Sequence, residues 1–329
     1  MNPRALRLPI FIAKRLAKML VLIFAIVVLN FLLIHAAPGD PATVMAGQSG
    51  AADTKYLEQL RHEFGLDRSL PEQLVTYVSK VATLDLGVSH RLQRRVVNII
   101  GERLPATLLL TGTAFCFALI LGTALGMVSL RFYGTPLDTL VIAATLVFYA
   151  TPLFWVGLIL VLVFSVWLNW LPSFGMSTVG LDLHGIAMIA DRAQYLVLPA
   201  LTLGLFYTAL YARLSRTAML DVADQQFVVT ARAKGATDRR VLWRHIFRNA
   251  LLPVVTMAGI QAGQLIGGSI LVETVFAWPG IGSLAFDALL QRDYETLLGV
   301  FLCTSVLVLV FNLITDLLYL AIDPRMEVG

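Results

Sequence analysis

Two stretches of this chain, Leu104–Leu130 and Thr139–Trp170, contain no charged residue. A bilayer's hydrocarbon core is about 30 Å thick and takes ~20 apolar helical residues to cross. Four further runs approach or exceed that length: Met19–Ala37, Ala193–Ala212, Asn249–Val272 and Thr296–Ile322. Backbone in hydrocarbon must satisfy its own N–H and C=O groups, so such runs predict helices. The chain therefore reads as an all-α integral membrane protein with six transmembrane helices. Its 14% of charged residues stands against roughly 25% in soluble domains. The third run is long enough to hold a bend at Pro152 or an interfacial turn at Trp167–Leu171.

The charges that remain are clustered. From Arg213 to Arg248 there are eight Lys/Arg (Arg213, Arg216, Arg232, Lys234, Arg239, Arg240, Arg244, Arg248) and three acids (Asp221, Asp224, Asp238). Such a segment cannot lie in hydrocarbon, and a basic excess marks the cytoplasmic side. The N-terminus is also basic, with Arg4, Arg7, Lys14, Arg15 and Lys18. The run behind it is too long for a signal-peptide core and reads as a retained span. Six spans place both termini and the 213–248 island on one side, the cytoplasm. Trp167, Trp170 and Trp278 then fall near outer boundaries, where amphipathic rings are favoured. Clustered basic charge here argues for orientation and against nucleic-acid binding.

Gly39–Arg103 falls outside and is too long for a simple loop. Thr54–Phe64 has helical spacing (Tyr56, Leu57, Leu60, Phe64), as does Pro71–Leu84 (Leu74, Val78, Val81), and Pro105 sits where a helix would start. The expectation is a small helical periplasmic subdomain between spans 1 and 2.

The island itself reads as helix, break, helix. Gln225–Lys234 is helix-compatible, and Gly235 suits the left-handed position after a helix end. Thr237 or Asp238 can cap a second helix, where Val241, Leu242, Ile246, Phe247, Ala250 and Leu251 recur at helical spacing. Two short helices, basic on one face and apolar on the other, could dock a soluble partner or simply contact anionic lipid. Physics alone leaves both open.

The residues narrow the choice. VTARAKGATDRRVLWRHIFRNALLP, Val229–Pro253, resembles the coupling (EAA) loop of binding-protein-dependent ABC importer permeases, in the form found in the dipeptide/oligopeptide/nickel branch. Ala231 matches the third position of Glu-Ala-Ala and Gly235 the glycine; Val229 and Thr230 replace Glu-Ala. Three further stretches are similar to that branch: Ala37-Pro38-Gly39-Asp40-Pro41; Phe64-Gly65-Leu66-Asp67 with Leu84–Ser89; and Glu273–Gly282. The resemblance implies a type I ABC importer permease. It implies a second homologous permease, two cytoplasmic ATPase subunits carrying ATP and Mg, and a periplasmic or extracellular solute-binding protein as partners. It implies a bacterial inner membrane location and no catalysis or cofactor on this chain. Ala231, Arg232, Lys234, Gly235, Asp238, Arg239 and Arg240 are then the ATPase-coupling residues. Di- and oligopeptides are the first choice of cargo; nickel, glutathione and other small solutes are alternatives, and a stand-alone six-span carrier with a lipid-binding loop is the rival.

Two absences fit. No Gly-x-x-x-x-Gly-Lys-Ser/Thr stretch is present to cradle ATP phosphates. No Asp, Glu, Lys or Arg falls mid-span, where ion-coupled carriers keep them; Glu273 and Asp316 lie near span ends and read as interfacial. Gln261, Gln264 and Ser269 in the fifth span are candidate pathway residues. Gly259, Gly263 and Gly267 form a small-residue seam for helix packing. Cys116 and Cys303 read as small buried hydrophobes, and the histidines, His35 among them, form no metal spacing. The expected division is 1–18 cytoplasmic, 19–37 first span, 38–103 periplasmic, 104–322 permease core with coupling loop 213–250, and 323–329 cytoplasmic.

Overall fold

The computed structural model describes residues 3–36, 67–89 and 91–322, with isolated positions 58 and 62. The predicted helix Thr54–Phe64 lies outside the described residues apart from those two positions, which are helical. Helix α1 runs Pro3–Ala36 and α2 Leu70–Ala82; a hairpin follows, β1 Val88–Ser89 against β2 Arg94–Arg95. Then come α3 Val96–Arg131, α4 Pro136–Ala150, and α5 Leu153–Leu160, which continues as a π-helical stretch Val161–Trp167. Helix α6 spans Ile186–Ala223 and α7 Gln226–Ala233. Helix α8, Arg248–Val275, is preceded by a helical turn Asp238–Arg240 and a π-helical stretch Val241–Phe247; α9 is Ile281–Leu290 and α10 Tyr294–Ile322.

Among the described residues, four helices are long and apolar enough to cross a membrane, or up to six if each bent pair is one span. The helices overrun the apolar runs because charged Lys, Arg and Glu are good helix formers and nothing at the hydrocarbon edge stops them. Helix α3 starts nine residues before Pro105, which sits inside it and marks no helix start. Helix α6 likewise carries Pro199 and extends to Ala223, so Arg213 and Arg216 ride on it rather than in a loop. The third apolar run is broken at Thr151-Pro152, where α4 and α5 meet at 105°. Pro152 has no N–H to give the preceding turn. The two-stranded hairpin departs from the all-helical expectation; Val88 pairs with Arg95 and Ser89 with Arg94.

The chain forms two compact units. In the first, Met1–Glu102 with Leu284–Leu309, the hairpin is held to the start of α10. The Ser89 hydroxyl donates to Asp293 Oδ2 at 2.5 Å, and the Val88 N–H donates to Glu295 Oε2 at 2.9 Å. Gly87 has φ +82°, and a Cβ there would stand 2.9 Å from the Glu295 carboxylate. Asn30 is buried and its amide reaches the Leu298 carbonyl at 3.5 Å, while His35 contacts Gln73 at 3.0 Å.

In the second unit, Arg103–Ser283 with Val310–Glu327, the core is built from Leu110, Leu198, Leu203, Tyr211, Leu265, Phe276 and Trp278. Helices α3 and α6 touch backbone to backbone at Gly122 and Gly126. A Cβ at Gly122 would lie 2.8 Å from the Thr208 carbonyl oxygen, and one at Gly126 would lie 2.9 Å from that of Ala212. This is the small-xxx-small seam of membrane helices. The expected Gly259/Gly263/Gly267 seam is present only in part: Gly259 packs on Thr315, but a Cβ on Gly267 would meet nothing within 4 Å. Cys116, expected buried, is exposed on α3.

Candidate functional site

The basic island takes its form from one helix end. Helix α7 stops at Lys234, and Gly235 follows at φ +79°. The Gly235 N–H donates to the Arg232 carbonyl at 2.9 Å and the Ala236 N–H to the Ala231 carbonyl at 3.1 Å. That pair of bonds is a Schellman motif, which satisfies the orphan carbonyls of a helix end and needs a left-handed residue. Thr237 takes the extended N-cap position of the next helix, though its side chain makes no capping bond. One helix thus ends and the next begins within three residues, Gly235–Thr237.

One face of the island is apolar and buried. Val228, Val241, Ile246 and Ala250 pack with Ala218 and Met219 of α6, and Met127 and Leu130 of α3 lie against the same cluster. Ala231 is buried beside them. The other face carries Arg232, Lys234, Asp238, Arg239 and Arg240, all exposed, together with exposed Phe227, Val229 and Trp243. A cleft of about 370 Å³ opens beside it, lined by Met127, Arg131, Phe132, Arg239, Leu242 and Trp243. Exposed cations beside exposed aromatic and aliphatic groups form a surface that can bind an acidic and apolar counterpart. All seven island residues singled out from sequence lie on this one helix–turn–helix.

Next to this helix–turn–helix, on the α6 side, stands an ion pair that the sequence did not reveal. Asp138, in the first turn of α4, is 4% exposed. It accepts from Arg216 Nε at 3.1 Å and Nη2 at 3.0 Å, from the Gly134 N–H at 3.1 Å, and from the Ser129 hydroxyl. The guanidinium carbon of Arg216 sits 5.3 Å from the Tyr133 ring centroid. The partners are 78 residues apart in sequence, each at the edge of an apolar run where a charge reads as interfacial.

The loop after α8 holds the second polar constellation. Glu273 was expected to be interfacial; it is fully buried. Its carboxylate accepts from the Thr107 hydroxyl at 2.7 Å, the Ser269 hydroxyl at 3.1 Å and the Ser283 N–H at 2.9 Å. Gly280 and Gly282 leave the room it occupies, since a Cβ at either would fall within 2.8 Å of it. Trp278, expected at a membrane boundary, is also fully buried, its indole N–H donating to the Ala106 carbonyl at 2.8 Å. The Phe276–Gly282 turn folds back onto α3 instead of leaving toward water, and this explains both corrections. Trp167 and Trp170 are 69% and 68% exposed.

Of the three pathway candidates, Ser269 is thus occupied with Glu273. Gln264 is exposed on α8, and Gln261 is half-buried with its amide 4.0 Å from the Met257 sulfur. Among the described residues no group of His, Cys, Asp and Glu is placed to hold a metal ion.

Comparison with known proteins adds the following. The model of the family described as binding-protein-dependent transport system inner membrane component matches residues 114–328, and the model of the N-terminal region of such components matches residues 8–111. The glutathione transport system permease protein GsiC of Escherichia coli O6:H1 is 39% identical over 317 residues, covering 96% of this chain and 98% of its own. The protein of the same name from Shigella dysenteriae serotype 1 is 38% identical over the same length. Among solved structures, the inward-facing MetNI methionine ABC transporter superposes with a TM-score of 0.57 at 18% identity, over 69% of this chain and 97% of that one. An amino acid ABC transporter with histidines gives 0.51 at 16%, over 68% and 93%.

Proposed function

The chain belongs to the binding-protein-dependent transport system inner membrane components, the permease subunits of ABC importers, and on that premise we propose that it forms one half of the pathway of an ATP-driven importer for peptide-class solutes. Six helical passes are the most economical reading of the apolar runs, and the distribution of basic charge puts the termini and the 213–250 region in the cytoplasm and residues 38–103 in the periplasm. Two ATPase subunits bind ATP and Mg; a second, homologous permease completes the pathway; a solute-binding protein delivers cargo.

The observation that carries this reading is the island's division of faces. Its apolar side is packed into its own chain, while Arg232, Lys234, Asp238, Arg239 and Arg240 point outward around the Schellman turn at Gly235. A lipid-anchoring loop needs cations but no fixed helix–turn–helix; a docking element needs both. Alternating access then requires the ATPases to contact this surface differently in their open and closed states, because only a differential contact shifts an equilibrium. Gln261 and Gln264 remain the candidate lining of the pathway; Ser269 belongs with Glu273. The chain's own work is conformational, and hydrolysis takes place on its partners.

The relatives are named for glutathione transport. Glutathione is a tripeptide, so it is the first member of the peptide class to test. The experiment is purification in mild detergent followed by uptake into vesicles with the binding protein and ATP. Co-purification of two ATPases and a second permease, with ATP-dependent uptake of labelled glutathione or dipeptides, is the expected result. A chain that purifies alone and transports alone would overturn the importer reading. Assembly with uptake of neither peptide would overturn the cargo.

A further inference from the structure

We propose that the Asp138–Arg216 ion pair is the joint through which movement of the 226–247 island reaches the α3–α4 end of the membrane helices, with both side chains acting as positioning residues. The inference rests on the reading of the island as the ATPase contact. Neither residue belongs to the exposed coupling surface or to the candidate pathway.

Three observations meet at the pair. The first is its connectivity. Arg216 on α6 grips Asp138 through two nitrogens, at 3.0 and 3.1 Å, and its Nε also donates to the Ser129 hydroxyl at 2.8 Å. Ser129 lies in the last turn of α3, Gly134 in the following turn and Asp138 in the first turn of α4. One guanidinium therefore ties the α3 end, the α3–α4 turn and the α4 start to α6. The second is rigidity. Bidentate Arg–carboxylate contacts fix orientation as well as distance, and here Asp138 is buried and the Arg216 side chain is 22% exposed. Removing one partner strands a buried charge, so the pair holds its geometry or fails as a unit.

The third is position. Arg216 is one helical turn from Met219, which is 1% exposed and packs in the cluster with Val228, Val241 and Ile246 of the island. Met127 and Leu130, one turn or less from Ser129, pack against the same cluster. The island thus touches α6 and α3 through side chains that can slide over one another. A few ångströms further along the same helices, the charged contact cannot slide. A displacement arriving at Met219 is carried along α6 to Arg216 and there passed to α4 in a fixed direction.

A pair that only stabilises the fold makes a different prediction, and this sets the experiment. Asp138→Asn, Arg216→Met and the apolar double variant Asp138→Leu/Arg216→Met would be compared in the full complex. The readouts are complex yield, thermal stability, ATP hydrolysis and cargo uptake. Replacing a buried ion pair by well-packed apolar groups commonly restores stability, so the double variant separates folding from coupling. Expected is a double variant that assembles and hydrolyses ATP within about twofold of wild type while uptake per ATP falls at least tenfold. Wild-type uptake per ATP in an assembled double variant would overturn the proposal. So would an uptake loss in Asp138→Asn that merely tracks the yield of complex. The underlying reading is tested by Arg239→Glu/Arg240→Glu. Undiminished ATPase binding there would sink the island as docking surface, an outcome distinct from failure of the joint, in which docking is kept.

Discussion

Glu273 and Thr107 stand 166 residues apart in the chain and meet at 2.7 Å, hydroxyl to carboxylate. The Thr107 oxygen in turn accepts the Ile281 N–H at 2.8 Å. One side chain on α3 thus serves both the buried acid and the turn that wraps it. Thr107→Val, which is nearly isosteric, leaves both groups short of a partner. A buried unsatisfied polar group costs about 1–3 kcal/mol, and the melting temperature of the detergent-purified protein should fall accordingly. Thr107→Ser should restore most of it. An unchanged melting temperature in the valine variant would show that Thr107 does not hold the turn.

Gly235 sits in open space, since a Cβ there would meet nothing within 4 Å. Any effect of substitution must come from its φ of +79°. Left-handed backbone costs an L-residue roughly 1–2 kcal/mol, least for Asn and most for β-branched side chains. Uptake per ATP should therefore fall in the order Gly, Asn, Ala, Val, with membrane insertion intact throughout. Peptide uptake at the wild-type level in Gly235→Val would count against the role given to this turn.

The glycines of the membrane helices should separate sharply. At Gly126 a Cβ would stand 2.7 Å from the Ser215 Cβ and 2.9 Å from a backbone oxygen, neither of which can swing away. Overpacking of this kind costs typically 1–3 kcal/mol. At Gly259 the added atom would crowd one side chain, Thr315, at 2.0 Å from Cγ2, 2.8 Å from Oγ1 and 2.9 Å from Cβ; a rotamer change moves the first two and leaves the milder third. Gly267→Ala meets nothing and should be neutral or slightly stabilising, since Ala is the better helix former. Thermal unfolding of the three alanine variants checks the ranking Gly126, Gly259, Gly267.

What could be read from the sequence follows a physical divide. The island was legible because its determinants are local: a glycine after a helix, a threonine at the next N-cap position, an apolar period of 3.6. The apolar helices were legible for the same reason, and the bend at Pro152 with them. Glu273 and Trp278 were misplaced because proximity to the end of an apolar run says nothing about whether the following turn leaves the protein or folds back over it. The Asp138–Arg216 pair was missed because two edge charges 78 residues apart carry no mark of being neighbours. Gly122-x-x-x-Gly126 was visible as spacing all along. Spacing alone could not say that it faces another helix while Gly267 does not.

Ser89 is fully buried, and its hydroxyl both donates to Asp293 and accepts the Leu92 N–H at 3.1 Å. Ser89→Ala removes both contacts, at about 1–3 kcal/mol for the groups left unpaired. Limited proteolysis of the purified variant should cut within residues 67–95 sooner than in wild type. Equal protection would show that the Ser89 contacts do not hold the hairpin.

That anchorage has a timetable. Ser89 is made 204 residues before Asp293, and Val88 waits 207 residues for Glu295. Bacterial and other ribosomes add roughly 5–20 residues per second, so the hairpin stands without its acidic anchors for on the order of 10–40 s. Through that interval the 204 residues between Ser89 and Asp293 are being made and threaded into the bilayer. The region 67–95 is therefore among the first parts translated and among the last secured, and it is where quality-control proteases would find an unfinished molecule.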